Sequence, residues 1–196
     1  MTTDEVLVKL CCQGDKEAFA TLVERYQDKI YNLTYRLVSN PEDAADLTQE
    51  VFYRAFLRIK GFRGDASFAT WLYRIATNVC YDQLRIRKNR QVVSLDNTSP
   101  DDPPRDLPDQ EAGPAELCMK RIVFQRLQEA IATLPVEQRT AMVLRDIQGL
   151  SYEEMAQVLQ CPLGTVKSRL SRARRALKDK LMSERELFFS ENVYNG

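Results

Sequence analysis

An acidic, proline-rich stretch interrupts the helical pattern of this 196-residue chain and sets its architecture. Residues 97–108 contain four prolines and a single large apolar side chain, Leu107. Such a stretch buries too little apolar surface to offset the entropy lost on ordering, so we expect a flexible linker over residues 91–114. The chain should therefore form two domains, over residues 1–90 and residues 115–185.

Both domains are predicted to be small helical bundles, which makes the fold all-α. Apolar residues recur at three- and four-residue spacing on both sides of the linker, and the chain has only seven glycines. In the first domain, Asp4 and Asp15 are placed to cap the first two helices, and Pro41 stands at the start of a third. A fourth helix is predicted over residues 68–90, after a short loop.

The second domain contains the pattern of a helix-turn-helix. Ser151 and Glu154 form a capping box that starts one helix, and Pro162 interrupts the hydrogen-bond ladder before a second helix begins near Gly164. The outer face of the second helix is strongly basic and consists of Lys167, Arg169, Arg172, Arg174, Arg175, Lys178 and Lys180. Such a helix can enter the major groove of DNA, where its first turns reach base edges and its later cations reach phosphates. The alternative is a solvated cationic face on an ordinary helical hairpin.

The fourth helix of the first domain combines aromatic, polar and basic side chains on its outer face. Residues 58–90 hold eight Lys and Arg against two acids, although the formal net charge of the chain is zero. The mixed face consists of Trp71, Tyr73, Arg74, Thr77, Asn78, Tyr81, Arg85, Arg87 and Lys88. Single-stranded DNA needs flat rings for its bases and cations for its phosphates, so this face is typical of a strand-binding surface. The alternative places Trp71 and Tyr73 in the core at the end of the bundle.

Histidine is absent from the chain, which excludes Ser-His-Asp and Cys-His catalysis. The five cysteines form no C-x-x-C pair, so we expect no metal site, no cofactor and no catalytic residue. Their odd number fits reduced, packing thiols in a cytoplasmic protein. Neither a signal peptide nor a membrane span is predicted, so no membrane insertion is expected.

Three motifs, in order along the chain, carry a resemblance to one family. They are DLTQEVF at residues 46–52, FRGDASFATWLYRIATN at 62–78, and LP at 134–135 followed by GLSYEEMA at 149–156 and GTVKSR at 164–169. Over about residues 5–185 the chain resembles the bacterial RNA polymerase sigma factors of the extracytoplasmic-function group. The resemblance implies a promoter-specificity subunit, not an enzyme.

Partners follow from the same resemblance. The first domain would dock on a coiled coil of the largest subunit of core RNA polymerase through Asp46, Gln49, Glu50 and Phe52. The second domain would contact the flap of the second-largest subunit. An alternative for Phe52 is a place in the core of its own domain, with the polar members carrying the contact. An anti-sigma factor, often a membrane-anchored one, would hold such a protein inactive.

Promoter DNA is the other implied partner. The residues that would open the downstream, minus-10 element are Phe62, Arg63, Ser67, Trp71, Tyr73, Arg74, Thr77, Asn78, Tyr81 and Arg85. A base swung out of the duplex would be held near Asn78, for which the alternative is a surface amide in mid-helix. The residues that would read the upstream, minus-35 element are Thr165, Lys167, Ser168, Arg169, Ser171, Arg172 and Arg174. Relatives can carry a bulkier group at the position of Ser171, which leaves the preferred upstream sequence open.

Other functions stay open at this stage. A stand-alone helix-turn-helix regulator would bind duplex DNA without polymerase, but it leaves residues 46–52 and the aromatic helix without a role. A metal- or redox-sensing module would depend on the cysteines, and a hydrolytic enzyme lacks a nucleophile motif. For the tail over residues 186–196 we expect disorder, with packing on the domain or binding to a regulator as alternatives.

Overall fold

The computed structural model describes residues 2–93 and 114–193, and within these residues it is helical and has no strand. The helices are α1 Asp4–Cys12, α2 Lys16–Val38, α3 Pro41–Arg58, α4 Phe68–Val93, α5 Pro114–Ala132, α6 Val136–Met142, α7 Tyr152–Leu159 and α8 Leu163–Val193. The all-α prediction is therefore confirmed. Most of the predicted linker, residues 94–113, lies outside the described residues, and so do residues 194–196 of the tail. No helix in the described part of the chain is long and apolar enough to cross a membrane.

The first domain is a bundle of α1 to α4 around a core that the apolar spacing of each helix supplies. Its largest fully buried side chains are Leu22, Ile30, Leu33, Leu37, Val51 and Leu72. Each buried aliphatic side chain stabilises the bundle by about 1.5–3 kcal/mol through the apolar surface it removes from water. This packing fixes the outer faces of α3 and α4, which carry the candidate site residues.

Two of the three predicted helix starts in this domain are confirmed. The Asp15 side chain accepts hydrogen bonds from the backbone N–H groups of Glu17 and Ala18, at 2.9 and 3.1 Å. Asn40 caps α3 in the same way, and Pro41 occupies the first turn. The prediction for Asp4 is wrong, because α1 begins at Asp4 itself and its carboxylate accepts hydrogen bonds from Arg25 and Tyr26 instead.

The second domain packs α5 to α8 around Ile131, Leu144, Met155, Val158 and Leu170. The capping box is confirmed: the Ser151 hydroxyl accepts from the Glu154 N–H at 3.1 Å, and the Glu154 carboxylate accepts from the Ser151 N–H at 2.8 Å. Helix α7 ends with Gln160 in the left-handed conformation at φ 50°. The chain turns there and α8 begins directly after Pro162, which completes a helix-turn-helix.

The two domains contact one another in the folded chain. Helix α4 of the first domain packs against α7 of the second, and α2 packs against α5 and α6. The sequence predicted two separate bundles and left their relative placement open. The structure shows that the second bundle lies against the end of α2 and along α4.

Candidate nucleic-acid interfaces

The start of α8 presents a polar and basic surface next to its buried face. Val166, Leu170 and Ala173 are fully or nearly fully buried and hold the helix on its domain. Between them, Lys167, Ser171, Arg172 and Arg174 are exposed, and Thr165, Ser168 and Arg169 are half-buried. The Ser168 hydroxyl donates to the carbonyl of Thr165 at 3.0 Å. All seven residues predicted for the minus-35 element thus lie on the first three turns of one helix.

Two of these arginines are held by neighbours within the domain. The Arg174 guanidinium donates to both carboxylate oxygens of Asp146, with Nε 3.1 Å from Oδ2. This hydrogen bond raises the pKa of Arg174. The Arg169 guanidinium lies 3.9 Å from the Cys161 sulfur. Lys167 is exposed, with its ammonium 5.8 Å from the ring centroid of Tyr152, and exposed Arg172 presents the cation that is freest to meet phosphates or base edges.

The loop before α4 and the first turn of α4 form an aromatic cluster. Phe62 and Trp71 meet edge to face with ring centroids 5.3 Å apart, and Phe68 lies 5.7 Å from Trp71. Gly64 has a φ of 77° in this loop, a left-handed conformation that glycine adopts without strain. The Ser67 hydroxyl accepts from the Thr70 N–H at 3.1 Å and orders the start of the helix. Trp71 is half-buried, so its exposure is intermediate between that of a strand-binding ring and that of a core ring.

This cluster borders an open cleft between α1 and the loop. The cleft has a volume of about 1100 Å³ and is lined by α1 residues, Tyr26, and the segment from Phe62 to Ala69. Arg63 and Ser67 stand exposed at its edge. Its aromatic walls and the Arg63 cation at its rim suit a nucleobase and a phosphate, whereas Asp4 and Glu5 on the α1 side carry negative charge.

Along the rest of α4, the predicted strand-binding residues divide into exposed and covered groups. Asn78 and Arg85 are exposed and Arg74 is half-buried. Tyr73 and Thr77 are 4% and 1% exposed, and Tyr81 is half-buried. Exposure of Asn78 leaves its amide available to a base edge, as the strand-binding interpretation requires.

The second domain is what covers Tyr73 and Tyr81. The Tyr73 hydroxyl donates to Gln148 Oε1 at 2.9 Å, and burial, with the nearby Glu154 carboxylate, raises the pKa of Tyr73 to about 12. Burial also raises the pKa of Tyr81, against the opposing effects of Thr140 and Arg169. No sequence signal pointed to Gln148 or Thr140, because their role depends on how the two domains pack.

The predicted polymerase-binding residues lie on α3. Asp46 and Gln49 are exposed, and Glu50 is half-exposed and accepts a hydrogen bond from Arg54 at 2.6 Å. Phe52 is 8% exposed and belongs to the core of its own domain, which was the alternative for this residue.

An apolar surface that the sequence did not indicate follows further along α3. Tyr53, Phe56 and Leu57 are 60%, 42% and 60% exposed. Phe56 stands one helical turn after Phe52, on the side of α3 that faces the core, but its ring packs edge to face on Phe19 at the rim of the bundle, with centroids 5.2 Å apart.

Comparison with known proteins identifies the family. Residues 22–90 match the family described as Sigma-70 region 2, and residues 124–177 match the family described as Sigma-70, region 4. The chain is 41% identical to the ECF RNA polymerase sigma-E factor of Haemophilus influenzae over 187 residues, which cover 91% of this chain and 95% of that protein. The chain belongs to the extracytoplasmic-function sigma factors.

Two further relatives agree with this assignment. The sigma factor is 40% identical to the RNA polymerase sigma-H factor of Pseudomonas aeruginosa over 182 residues, or 91% of this chain and 93% of that protein. Its fold is similar to that of the sigma factor RpoE in a complex with the anti-sigma factor NepR from Bartonella quintana. That match has a TM-score of 0.67 and 26% identity, and it covers 84% of this chain and 96% of the other.

The cysteines of the sigma factor have packing roles where the structure describes them. Cys11 and Cys80 are buried, and burial raises the pKa of Cys80 to about 12, which keeps the thiol protonated. The Cys12 thiol donates to the carbonyl of Ile59 at 3.2 Å. Within the described residues, no group of three or more Cys, Asp or Glu side chains is arranged to hold a metal ion.

Proposed function

We propose that this sigma factor divides promoter recognition between two surfaces. The start of α8 reads the minus-35 element, and the aromatic cleft with α4 opens the minus-10 element. The observation that supports this proposal is that one chain carries both a helix-turn-helix with an exposed basic second helix and an aromatic cleft with exposed Arg63 and Asn78. The protein itself carries out no chemical step, and RNA synthesis belongs to the polymerase that it joins.

At the upstream element, Lys167, Ser171 and Arg172 point outward from the first turns of α8 and would reach the major groove. A bidentate arginine contact to a guanine discriminates against other bases by about 1–3 kcal/mol. Thr165, Ser168 and Arg169 are half-buried and would position the helix against the sugar-phosphate backbone.

At the downstream element, base stacking and charge act together. Unstacking a base costs a few kcal/mol, which stacking on aromatic rings and hydrogen bonds to the base edge recover. The rings of Phe62 and Trp71 are already clustered beside the cleft, and Asn78 offers both donors and acceptors. Arg63, Arg74 and Arg85 would hold the strand through its phosphates.

Core polymerase is proposed to bind the acidic and amide edge of α3. Asp46 and Gln49 are exposed and Glu50 is half-exposed, so this edge suits a basic helix of the largest subunit. The second domain is proposed to bind the flap of the second-largest subunit. Both contacts place the protein in the cytoplasm with the polymerase.

An anti-sigma factor is the proposed regulator. The Bartonella RpoE structure is a complex with the anti-sigma factor NepR. By analogy, a protein partner that covers the surfaces of α3 and α4 would keep this sigma factor from polymerase and DNA. In this family such partners are often anchored in the membrane.

Run-off transcription with purified core polymerase on a genomic promoter library tests the proposal. We expect promoter-specific transcripts that require this protein, whose aligned starts give both recognition elements. If the free protein bound duplex operators tightly and produced no transcripts with core polymerase, the stand-alone regulator would replace the sigma-factor proposal.

A further inference from the structure

Helix α1 forms one wall of the aromatic cleft that is proposed to take the minus-10 strand. Asp4, Val8 and Cys12 line the cleft from α1, opposite the segment from Phe62 to Ala69. The match to Sigma-70 region 2 covers residues 22–90, so α1 lies before the part of the chain that matches the family. The role of α1 in the cleft must therefore be inferred from its own contacts.

The first residue of α1 is bonded to the middle of α2. The Asp4 carboxylate accepts hydrogen bonds from the Tyr26 hydroxyl and from the Arg25 guanidinium, one on each oxygen. Arg25 Nη2 also donates to the carbonyl of Thr2 at 3.0 Å. Burial, together with the hydrogen bond to Asp4, raises the pKa of Tyr26 well above its ordinary value, so the phenol remains a donor at neutral pH. These bonds fix the place at which α1 begins.

The other end of α1 is attached beside the loop that carries the aromatic cluster. The Cys12 thiol donates to the carbonyl of Ile59 at 3.2 Å, and the short 3-10 helix Ile59–Gly61 leads directly into that loop. Between the two ends, Leu7, Val8 and Cys11 are buried. Because α1 is held at both ends, it cannot shift without changing the width of the cleft.

The phenol that Asp4 binds begins a chain of ring contacts. Tyr26 meets Phe68 edge to face with centroids 5.4 Å apart, and Phe68 lies 5.7 Å from Trp71. Phe62 completes the cluster, 6.4 Å from Phe68 and 5.3 Å from Trp71. Aromatic pairs prefer particular separations and angles. A displaced Tyr26 would therefore displace the rings that are proposed to receive a base.

The pairing with Arg25 also neutralises a negative charge at the cleft. Asp4 and Glu5 both line the α1 wall, whereas a DNA strand carries a negative phosphate at each nucleotide. The side chains of Arg25 and Asp4 are 33% and 30% exposed, so water and salt screen this pair only in part. An unpaired Asp4 carboxylate would repel the strand from the wall that holds Tyr26.

We propose that Asp4 is a positioning residue for the minus-10 cleft. This inference rests on the proposed function of the cleft. Through Tyr26 the carboxylate sets the place of Phe68 and Trp71, and its pairing with Arg25 removes a charge that would oppose the strand. Asp4 acts through these neighbours and not by contact with a base. Its loss should slow promoter opening and leave the earlier recognition of duplex DNA unchanged.

The kinetics of promoter opening by the holoenzyme test this inference. Core polymerase with the parent chain or with a variant would be mixed with a promoter duplex, and unpaired thymines would be detected over time with permanganate. Varying the holoenzyme concentration separates the affinity for the closed promoter from the rate of opening. We expect Asp4→Ala to open the promoter about fivefold more slowly than the parent, with the closed-complex affinity unchanged.

Further variants separate the hydrogen bond from the charge. Asp4→Asn keeps an oxygen that accepts from Tyr26, so it should open the promoter within about twofold of the parent rate. Arg25→Ala leaves the Asp4 charge unpaired, so it should slow opening more at low salt than at high salt. Glu24→Ala is the matched control, because Glu24 is an exposed acid beside Arg25 on α2 and its loss should not slow opening.

Trp71 provides a second measurement on the free protein, because it is the one tryptophan of the chain. Quenching of its fluorescence by acrylamide reports how closely the cluster packs around it. Asp4→Ala should make Trp71 easier to quench, whereas Asp4→Asn should not. Tyr26→Phe keeps the ring and removes the hydroxyl, so it should change quenching and opening in the same direction even if Asp4→Ala fails to fold.

The pattern across these variants distinguishes positioning from a general structural role. Equal losses of closed-complex affinity and opening rate in Asp4→Ala would overturn the inference, and so would equal slowing by Asp4→Asn and Asp4→Ala. An unchanged opening rate in both Asp4→Ala and Tyr26→Phe would also overturn it and leave the proposed function intact. If the parent chain formed no open complex with core polymerase on any promoter, the proposed function would fall and the inference with it.

Discussion

The two proposed DNA-binding surfaces differ in how available they are. On α8, Lys167 and Arg172 stand in solvent, whereas on α4 Tyr73 and Thr77 are almost completely covered. Both surfaces were read from the same kind of sequence signal, a helix with a buried face and a basic or aromatic outer face. The difference shows that a helix face which points away from the core of its own domain can still be buried, because the other domain of the chain packs on it.

The largest expected effect is a loss of stability when the core beneath the exposed face of α8 is changed. Leu170 is 2% exposed beneath the recognition residues, and Leu170→Ala should lower the free energy of unfolding of the second domain by about 2–5 kcal/mol. Chemical denaturation followed by circular dichroism would measure this loss. Binding to a minus-35 duplex should fall as well, and a variant that kept full stability would show that the helix is held by other contacts.

A smaller effect, on DNA binding, should distinguish Arg172 from Arg174, which lie on the same helix. Arg172 is exposed, and Arg172→Ala should weaken binding to the upstream element by about 1–3 kcal/mol if it reads a base. Arg174→Ala is the matched control, because Arg174 is engaged by Asp146 and should cost less. Fluorescence anisotropy on specific and scrambled duplexes measures both. An equal loss on scrambled DNA would mean that Arg172 touches only phosphate.

The covered surface can be probed by a single-atom change. Tyr73→Phe keeps the ring for base stacking and removes the hydrogen bond to Gln148, which should weaken the interdomain contact by about 0.5–1.5 kcal/mol. Chemical denaturation of Tyr73→Phe and of the parent chain, followed by circular dichroism, would measure this loss. Asn78→Ala is the control, since Asn78 is exposed on α4 and its loss should leave the free energy of unfolding unchanged.

Titration of the Tyr73 phenol is expected to have the smallest effect at physiological pH. The pKa of Tyr73 is raised by burial to about 12 in the folded chain, against about 10 when exposed. The contact is therefore fully present below pH 10 and is lost as the pH rises through 12. The difference in phenolate absorbance between the parent chain and Tyr73→Phe would report this transition. A Tyr73 that titrated near its ordinary pKa of about 10 would indicate that the contact is open in solution.

Local signals predicted the helices and their boundaries well. Asp15, Asn40 and the Ser151–Glu154 box act on backbone groups within three residues, so their effect can be read from the chain alone. The helix-turn-helix and its exposed Lys167 and Arg172 were predicted for the same reason. A capping residue, a turn and a periodic apolar face need no knowledge of the rest of the fold.

The errors and gaps came from contacts between residues far apart in the sequence. Asp4 was expected to cap α1, but residues of α2 engage its carboxylate. Phe56 follows helical spacing, yet its place at the rim leaves it 42% exposed. The Tyr73 hydroxyl donates to Gln148, which lies 75 positions away and on the other side of the linker. Periodicity gives the face of a helix but not what that face meets.

The end of α2 also links two binding events through the chain itself. Gln128 and Arg139 hold the carbonyls of Tyr35, Arg36 and Leu37, and α3 begins only a few residues later. The segment that joins α2 to α3 therefore lies next to the carbonyls that the second domain binds. By thermodynamic reciprocity, any factor by which polymerase binding weakened this contact between the domains would be the factor by which the contact lowers the affinity for polymerase.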